Sequence, residues 1–210
     1  MMRQQAHEIF NKYAKEYQER FMDISIYHES LDIFCDTLPQ DNAKILEVAC
    51  GPGNITTYLL RKRPNLNILG TDLAPSMIEL AKQNAPTAEF KLMDGRNIMT
   101  LEQKFDGIVS GFFFPYLSQK EVEQFIHDAA CQLNEQGVLF VSTMEDDHSK
   151  SGIQKSSKGD EIFMNFHEEK HLTTTLIKNN FKIIDIQRKD SIASNGMKNI
   201  DLLINAQLSS

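Results

Sequence analysis

Apolar positions in this chain change their spacing as the sequence proceeds. Ile9, Phe10, Tyr13, Ala14, Tyr17 and Phe21 recur at helical intervals, and after a short polar break Tyr27, Leu31, Phe34 and Leu38 do the same until Pro39. This pattern predicts two N-terminal helices. From residue 44 the pattern shifts to short apolar runs, Ile45–Ala49, Asn67–Thr71, Phe90–Met93, Phe105–Ser110 and Val138–Ser142, separated by helix-like stretches. Pro75 suits the first turn of one such helix, where its missing N–H costs nothing, and Ser118-Gln119-Lys120-Glu121 reads as a capping box for another. The later strands are nearly continuous in apolar residues, as parallel strands covered on both faces are. Alternation of this kind indicates a doubly wound α/β layer.

Beyond residue 143 the signal thins. Glu145–Asp160 is polar and long for a compact domain, and reads as a functional or mobile loop. Ile162–Phe166 reads as a short extended piece, His167–Asn179 as a helix, and Phe181–Ile186 and Ile200–Leu208 as two closing strands. Ser191–Lys198 between them would allow an antiparallel return. The expected fold is α/β: a doubly wound, Rossmann-like, seven-stranded, mostly parallel sheet with an antiparallel last strand and N-terminal helices. The expected organisation is one domain over 1–210: a helical cap at 1–40, a ligand-binding half at 41–143, and a loop, helix and closing strands at 144–210.

Composition narrows the chemistry. At 210 residues the chain is long enough to hold its fold by core burial alone. Its three cysteines, Cys35, Cys50 and Cys131, form no C-x-x-C pair and read as free thiols in a reducing compartment. The net charge is -7, and the only dense basic cluster, Arg61-Lys62-Arg63, reads as a helix end, so bulk nucleic acid is not an expected partner. No signal-peptide core and no 18-residue apolar run are found, so a soluble, cytoplasmic protein is expected, as monomer or homodimer, away from membranes.

The informative residues lie at strand ends. Glu47-x-x-x-Gly51-x-Gly53 closes the first strand, Asp72 the second and Asp94 the third. Glycines there let the backbone approach a ligand, at the edge where doubly wound sheets bind one. An acid at the second strand end can accept both hydroxyls of a ribose, and Asp94 is placed for a nucleobase. A dinucleotide fingerprint needs a third glycine, but Gly51-Pro52-Gly53-Asn54-Ile55-Thr56 ends on threonine, and Glu47 would repel a pyrophosphate. A ligand with ribose, adenine and a cation fits better. The alternatives are an NAD(P)-dependent oxidoreductase and a cofactor-binding scaffold without turnover.

ILEVACGPGNIT and GTDLAPSMIELAKQN resemble the first and second motifs of class I S-adenosylmethionine-dependent methyltransferases. KLMDGRNI, FDGIVSGFFFPYL and LNEQGVLFVST resemble the three that follow, and the resemblance runs in order over residues 8–210. It implies S-adenosyl-L-methionine as cofactor, S-adenosyl-L-homocysteine as product, and no metal. It places Glu47 near the sulfonium and amino-acid end, Gly51 and Gly53 along the methionine moiety and ribose, Asp72 on the ribose and Leu73 along the adenine. Asp94 would take the adenine amino group with Gly95 and Arg96 beside it, and Ser110 would contact the cofactor's amino group. Tyr13 and Tyr17 resemble N-terminal aromatics that close over the cofactor. Ala49 and Cys50 depart from the usual small or glycine residues.

Methyl transfer from a sulfonium is an in-line displacement that needs alignment and a dry site rather than a covalent intermediate. The acceptor pocket is expected beyond the fourth strand, under the N-terminal helices. There Tyr116, Phe112 and His28 are candidates to position an acceptor, and no general base is assigned. The loop carries neither an Asn-Pro-Pro-Tyr-like tetrad nor a catalytic cysteine, which favours a small-molecule acceptor.

Overall fold

Five parallel strands carry the ligand-binding edge in the computed structural model, which describes residues 2–155, 159–192 and 198–209. They are β1 (Lys44–Val48), β2 (Asn67–Asp72), β3 (Glu89–Leu92), β4 (Phe105–Gly111) and β5 (Leu133–Glu145). Two more close the sheet, β8 (Phe181–Ile192) and β9 (Lys198–Leu208), giving the order β3-β2-β1-β4-β5-β9-β8. β9 inserts antiparallel between β5 and β8, so the expected antiparallel last strand is observed. β1 pairs with both β2 and β4, and the strand order therefore reverses there. A crevice above the carboxyl ends of the strands is expected at such a reversal.

Both faces are covered, which is why β1 and β4 are almost entirely buried. The N-terminal helices are α1 (Met2–Lys12), α2 (Ala14–Phe21) and α3 (His28–Thr37). The crossovers are α4 (Asn54–Lys62), α5 (Pro75–Asn84), α6 (Gln119–Gln132) and α7 (Glu169–Lys178). On one face Leu46, Ile108 and Leu139 pack with Phe125 and Ile126 of α6 and Leu172 and Leu176 of α7. On the other Ile45, Val109 and Phe140 pack with Phe34 of α3 and Leu59 of α4. Ile108 and Val109 thus face opposite layers, the two-residue period of a strand. The capping box forms: the Glu121 carboxylate accepts the Ser118 N–H at 2.9 Å.

Four sequence expectations are corrected. The first N-terminal helix is broken at Tyr13, whose backbone (φ −113°, ψ 26°) leaves the helical region. α1 and α2 then take separate courses across α5. β5 begins at Leu133 rather than Val138, because Gln136 takes a left-handed turn (φ 59°) inside a strand that already pairs with Phe105. The predicted helix at His167 starts at Glu169, leaving His167 as a buried residue before it. The segment Glu145–Asp160 is not simply a loop. β6 (Gly152–Lys155) pairs antiparallel with β7 (Glu161–Met164) as a second, two-stranded sheet. Ser156–Lys158 of that segment, and residues 193–197 of the expected Ser191–Lys198 return, lie outside the described residues, although Ile192 and Lys198 pair antiparallel on either side. Among the described residues no helix is long and apolar enough to cross a membrane.

Candidate active site

A cavity of about 300 Å³ opens at the strand reversal. Its floor is the turn after β1 and the ends of β2 and β3, its far wall is the segment after β4, and α1, α2 and the end of the β6–β7 hairpin roof it.

The floor is built by backbone close to the ligand space. Gly51 and Gly53 both have positive φ (54° and 79°), a conformation open to glycine at little cost. Ala49 is held at φ 53° without that freedom. Gly51 lines the cavity, whereas Gly53 caps α4 and packs against Ala81 of α5, where an added Cβ would lie 3.3 Å away. Asp72 faces the cavity with its carboxylate fixed by the N–H groups of Gly51 (2.9 Å) and Ala74 (2.8 Å). Burial raises its pKa against the lowering pull of these N–H groups and of His7. Leu73 lies exposed on the same wall.

Asp94, Gly95 and Arg96 continue the floor. Asp94 accepts from Arg96 through its backbone N–H (3.0 Å) and through Nε (2.9 and 3.0 Å), and Glu121 lies 3.6 Å from the same guanidinium. Arg96 therefore offers a cation already bracketed by two carboxylates. At Gly95 no side chain would fit: a Cβ would collide with Val48 and come 2.9 Å from the Phe113 ring.

Glu47 is displaced from its expected place. It is 1% exposed, lies outside the cavity wall, and accepts a hydrogen bond from the Thr56 hydroxyl. Burial pushes its pKa up to about 8, and the charge of Asp72 adds to the shift, so it holds its proton at neutral pH. The anionic group expected beside a cationic ligand is thus a neutral acid beneath the turn. Thr56, at the missing third glycine, is fully buried and committed to Glu47, and nothing in this arrangement favours the dinucleotide alternative.

The far wall is aromatic. Phe112, Phe113 and Tyr116 all reach the cavity. Phe112 has φ 53°, a costly backbone for a bulky residue, and its N–H is anchored on Ser142 by the carbonyl (3.1 Å) and the hydroxyl (3.0 Å). Tyr17 comes from α2, its hydroxyl pushed up to about 12 by burial and by Asp72. Tyr116 is shifted upward by the same causes, burial first, then Tyr17 and Asp72.

Three other candidates stand apart from the cavity. Tyr13, at the helix break, interacts with Asp160 instead. Ser110 is buried in β4 with its hydroxyl unpartnered among the described residues. His28 stacks on Tyr58 of α4, rings 4.1 Å apart and 18° from parallel, and neither lines the cavity. In their place the cavity takes His7 and Phe10 from α1, Met77 from α5, and Phe163 and Asn165 from the hairpin. Phe10 meets Tyr116 edge-on at 5.4 Å. Its helical spacing was legible in the sequence, but the partner across the cavity was not.

The hairpin end straps the aromatic segment in place. Asn165 donates to the Pro115 carbonyl from its backbone N–H (2.8 Å) and its side-chain Nδ2 (3.3 Å), and His167 Nε2 reaches the Phe114 carbonyl at 2.9 Å. Since a carbonyl only accepts, Nε2 carries the proton, and the buried Nδ1 has no partner among the described residues. Burial lowers the His167 pKa to about 4.

This strand order, with the crevice where it reverses and an acid at the second strand end, defines a class I methyltransferase fold. Residues 45–137 match the model of the methyltransferase domain family. It is 30% identical to a malonyl-[acyl-carrier protein] O-methyltransferase of Priestia megaterium, over 64% of this chain and 49% of that one. It is 26% identical to a ubiquinone biosynthesis O-methyltransferase of Bartonella tribocorum, over 70% of this chain and 64% of that one. The chain spans about half the length of the curated relatives it matches. Among solved structures, the fold superimposes on magnesium protoporphyrin IX methyltransferase from Synechocystis with bound SAH, at TM-score 0.73 and 16% identity, covering 100% of both chains.

Proposed function

We propose that this chain binds S-adenosyl-L-methionine in the cavity and transfers its methyl group in line to a small-molecule acceptor, in the cytoplasm. The observation that carries the reading is Asp72: a carboxylate at the end of β2, facing the cavity and fixed by two backbone N–H groups. Two N–H bonds leave it the acceptor capacity for a pair of ribose hydroxyls. The residues around it fit the rest of the cofactor. Gly51 keeps the turn free of side chains, Gly95 brings backbone to the adenine side, and Asp94 lines that side with Arg96. The cofactor, when bound, supplies an activated methyl group on a sulfonium.

The chain's own contribution is alignment and exclusion of water. α1 and α2 lay Phe10 and Tyr17 over the turn after β1, and the strapped segment sets Phe112 and Tyr116 opposite. Tyr17 and Tyr116 stay neutral well above physiological pH and so serve as hydrogen-bonding, not ionised, groups. Ring faces around a sulfonium favour the positive charge that the transfer disperses.

Calorimetric titration with S-adenosyl-L-homocysteine tests the reading. Wild-type protein is expected to bind in the micromolar range, and Asp72→Ala to lose detectable binding while keeping its far-ultraviolet circular dichroism. A folded wild-type protein that takes up no S-adenosyl-L-homocysteine refutes it.

A further inference from the structure

The two halves of the cavity differ in charge, and the difference speaks to the acceptor. All the ionisable carboxyl and guanidinium groups on its walls, Asp72, Asp94, Arg96 and Glu121, belong to the β2–β3 side and the first turn of α6, and His7 acts electrostatically on Asp72. The opposite half runs from Gly111 to Leu117, takes Phe163 and Asn165 from the strap, and is closed by Phe10. Its side chains are apolar or aromatic, with one phenol and one carboxamide as the polar groups.

That carboxamide has a determined orientation. Asn165 Nδ2 lies on the Pro115 carbonyl, which can only accept, so the side-chain nitrogen must face it. The residue is 8% exposed and lines the cavity, and its Oδ1 takes no hydrogen bond from the described residues. The strap therefore presents a fixed, neutral hydrogen-bond acceptor among aromatic rings. A carboxylate or phosphate placed here would lose its water and meet no cation, since Arg96 is already held by Asp94 and Glu121. A flat ring would gain the surrounding rings, and an O–H or N–H on it would gain Asn165 Oδ1.

We propose that this half of the cavity takes an uncharged aromatic or heteroaromatic acceptor whose O–H or N–H donates to Asn165 Oδ1. The proposal rests on the methyltransferase reading and names the substrate class of the same site. Asn165 and Phe163 act as specificity-determining residues, and His167 holds the wall against which they work.

The test uses the full chain saturated with S-adenosyl-L-homocysteine and two probes of matched shape, 2-naphthol and 2-naphthoate, with affinities read by saturation-transfer NMR. Naphthol is expected to bind at least about tenfold more tightly than naphthoate, the cost of an unpaired buried anion. Asn165→Leu, which adds apolar surface but removes the amide, is expected to weaken naphthol about fivefold and leave naphthoate within about twofold. Naphthoate binding as tightly as naphthol overturns the proposal, and so does an Asn165→Leu protein that binds naphthol undiminished with wild-type circular dichroism. If that variant does not fold, the wild-type naphthol-to-naphthoate ratio decides alone. Absence of S-adenosyl-L-homocysteine binding by the wild type is a separate result, and it removes the reading on which the proposal stands.

Discussion

Replacing Glu47 by glutamine is expected to make the protein more stable at alkaline pH, and progressively so. In the fold Glu47 is almost completely buried, with a pKa of about 8 against 4.5 for an ordinary glutamate. Between these values the folded chain binds more protons than the unfolded one, so stability falls as pH rises through the window. The slope for one group is about 1.4 kcal/mol per pH unit, and between pH 5 and pH 8 it accumulates to about 4 kcal/mol. Glutamine keeps the length and the hydrogen bond with Thr56 but has no proton to lose. Urea denaturation at pH 5, 6, 7 and 8, followed by far-ultraviolet circular dichroism because the chain has no tryptophan, gives both curves. Taking the difference between Glu47→Gln and wild type cancels His167 and the other titrating groups that do not interact with Glu47. A difference that grows with pH by several kcal/mol supports the buried neutral acid. Parallel curves would mean that Glu47 is ionised and solvated, and would refute the argument.

His167 gives the opposite limb. Its pKa of about 4, against 6.5 unfolded, means that the unfolded chain binds the extra proton, so about 3 kcal/mol of stability present above pH 6.5 is lost as pH falls to 4. His167→Phe keeps the ring beside Phe114, should abolish that acid-side loss in the same denaturation series, and should cost about 1 kcal/mol at pH 7 for the lost hydrogen bond, since the Phe114 carbonyl keeps the Leu117 N–H. Ala49→Gly relieves a left-handed backbone and should raise stability by about 1 kcal/mol, read as a higher midpoint in thermal melts. Gly95→Ala should lower stability by about 2 kcal/mol and weaken S-adenosyl-L-homocysteine binding measured by calorimetry, because the methyl group collides with Val48 and Phe113.

The parts of the site that sequence made legible are those fixed by strand ends. Parallel strands in register end at one level: Val48 pairs with Thr71 and Ser110, and Asp72 with Leu92. Gly51, Asp72, Leu73 and Asp94 had to converge once the strands were placed. Glu47 shares that register, yet pairs with Gly70 one residue before Val48, and alternation sends its side chain to Thr56 under α4 rather than to the ligand space. Tyr13 and Tyr17 would share a helical face at four-residue spacing, but the break at Tyr13 turns them apart, and only Tyr17 reaches the cavity. His28 found its partner in Tyr58, a contact no local pattern announces. The extended piece read at Ile162–Phe166 matches β7, but β6 and its pairing were missed because four partly buried residues are too few to show a two-residue period within a polar stretch.

The roof has a consequence of its own. The segment that matches the methyltransferase domain family, residues 45–137, supplies the floor and the aromatic wall of the cavity. His7, Phe10, Tyr17, Phe163 and Asn165 all fall outside it, and Lys12 of α1 reaches Asp160 beside the hairpin at 3.4 Å, tying the two roof pieces together. The floor and the roof of the cavity thus come from separate stretches of chain that can diverge at different rates. Overall identity will rank relatives mainly by the floor. Kinship in the roof is better sought by a short signature, an aromatic on the first helix and an asparagine two residues ahead of a buried histidine, with the aromatic and the asparagine both lining the cavity.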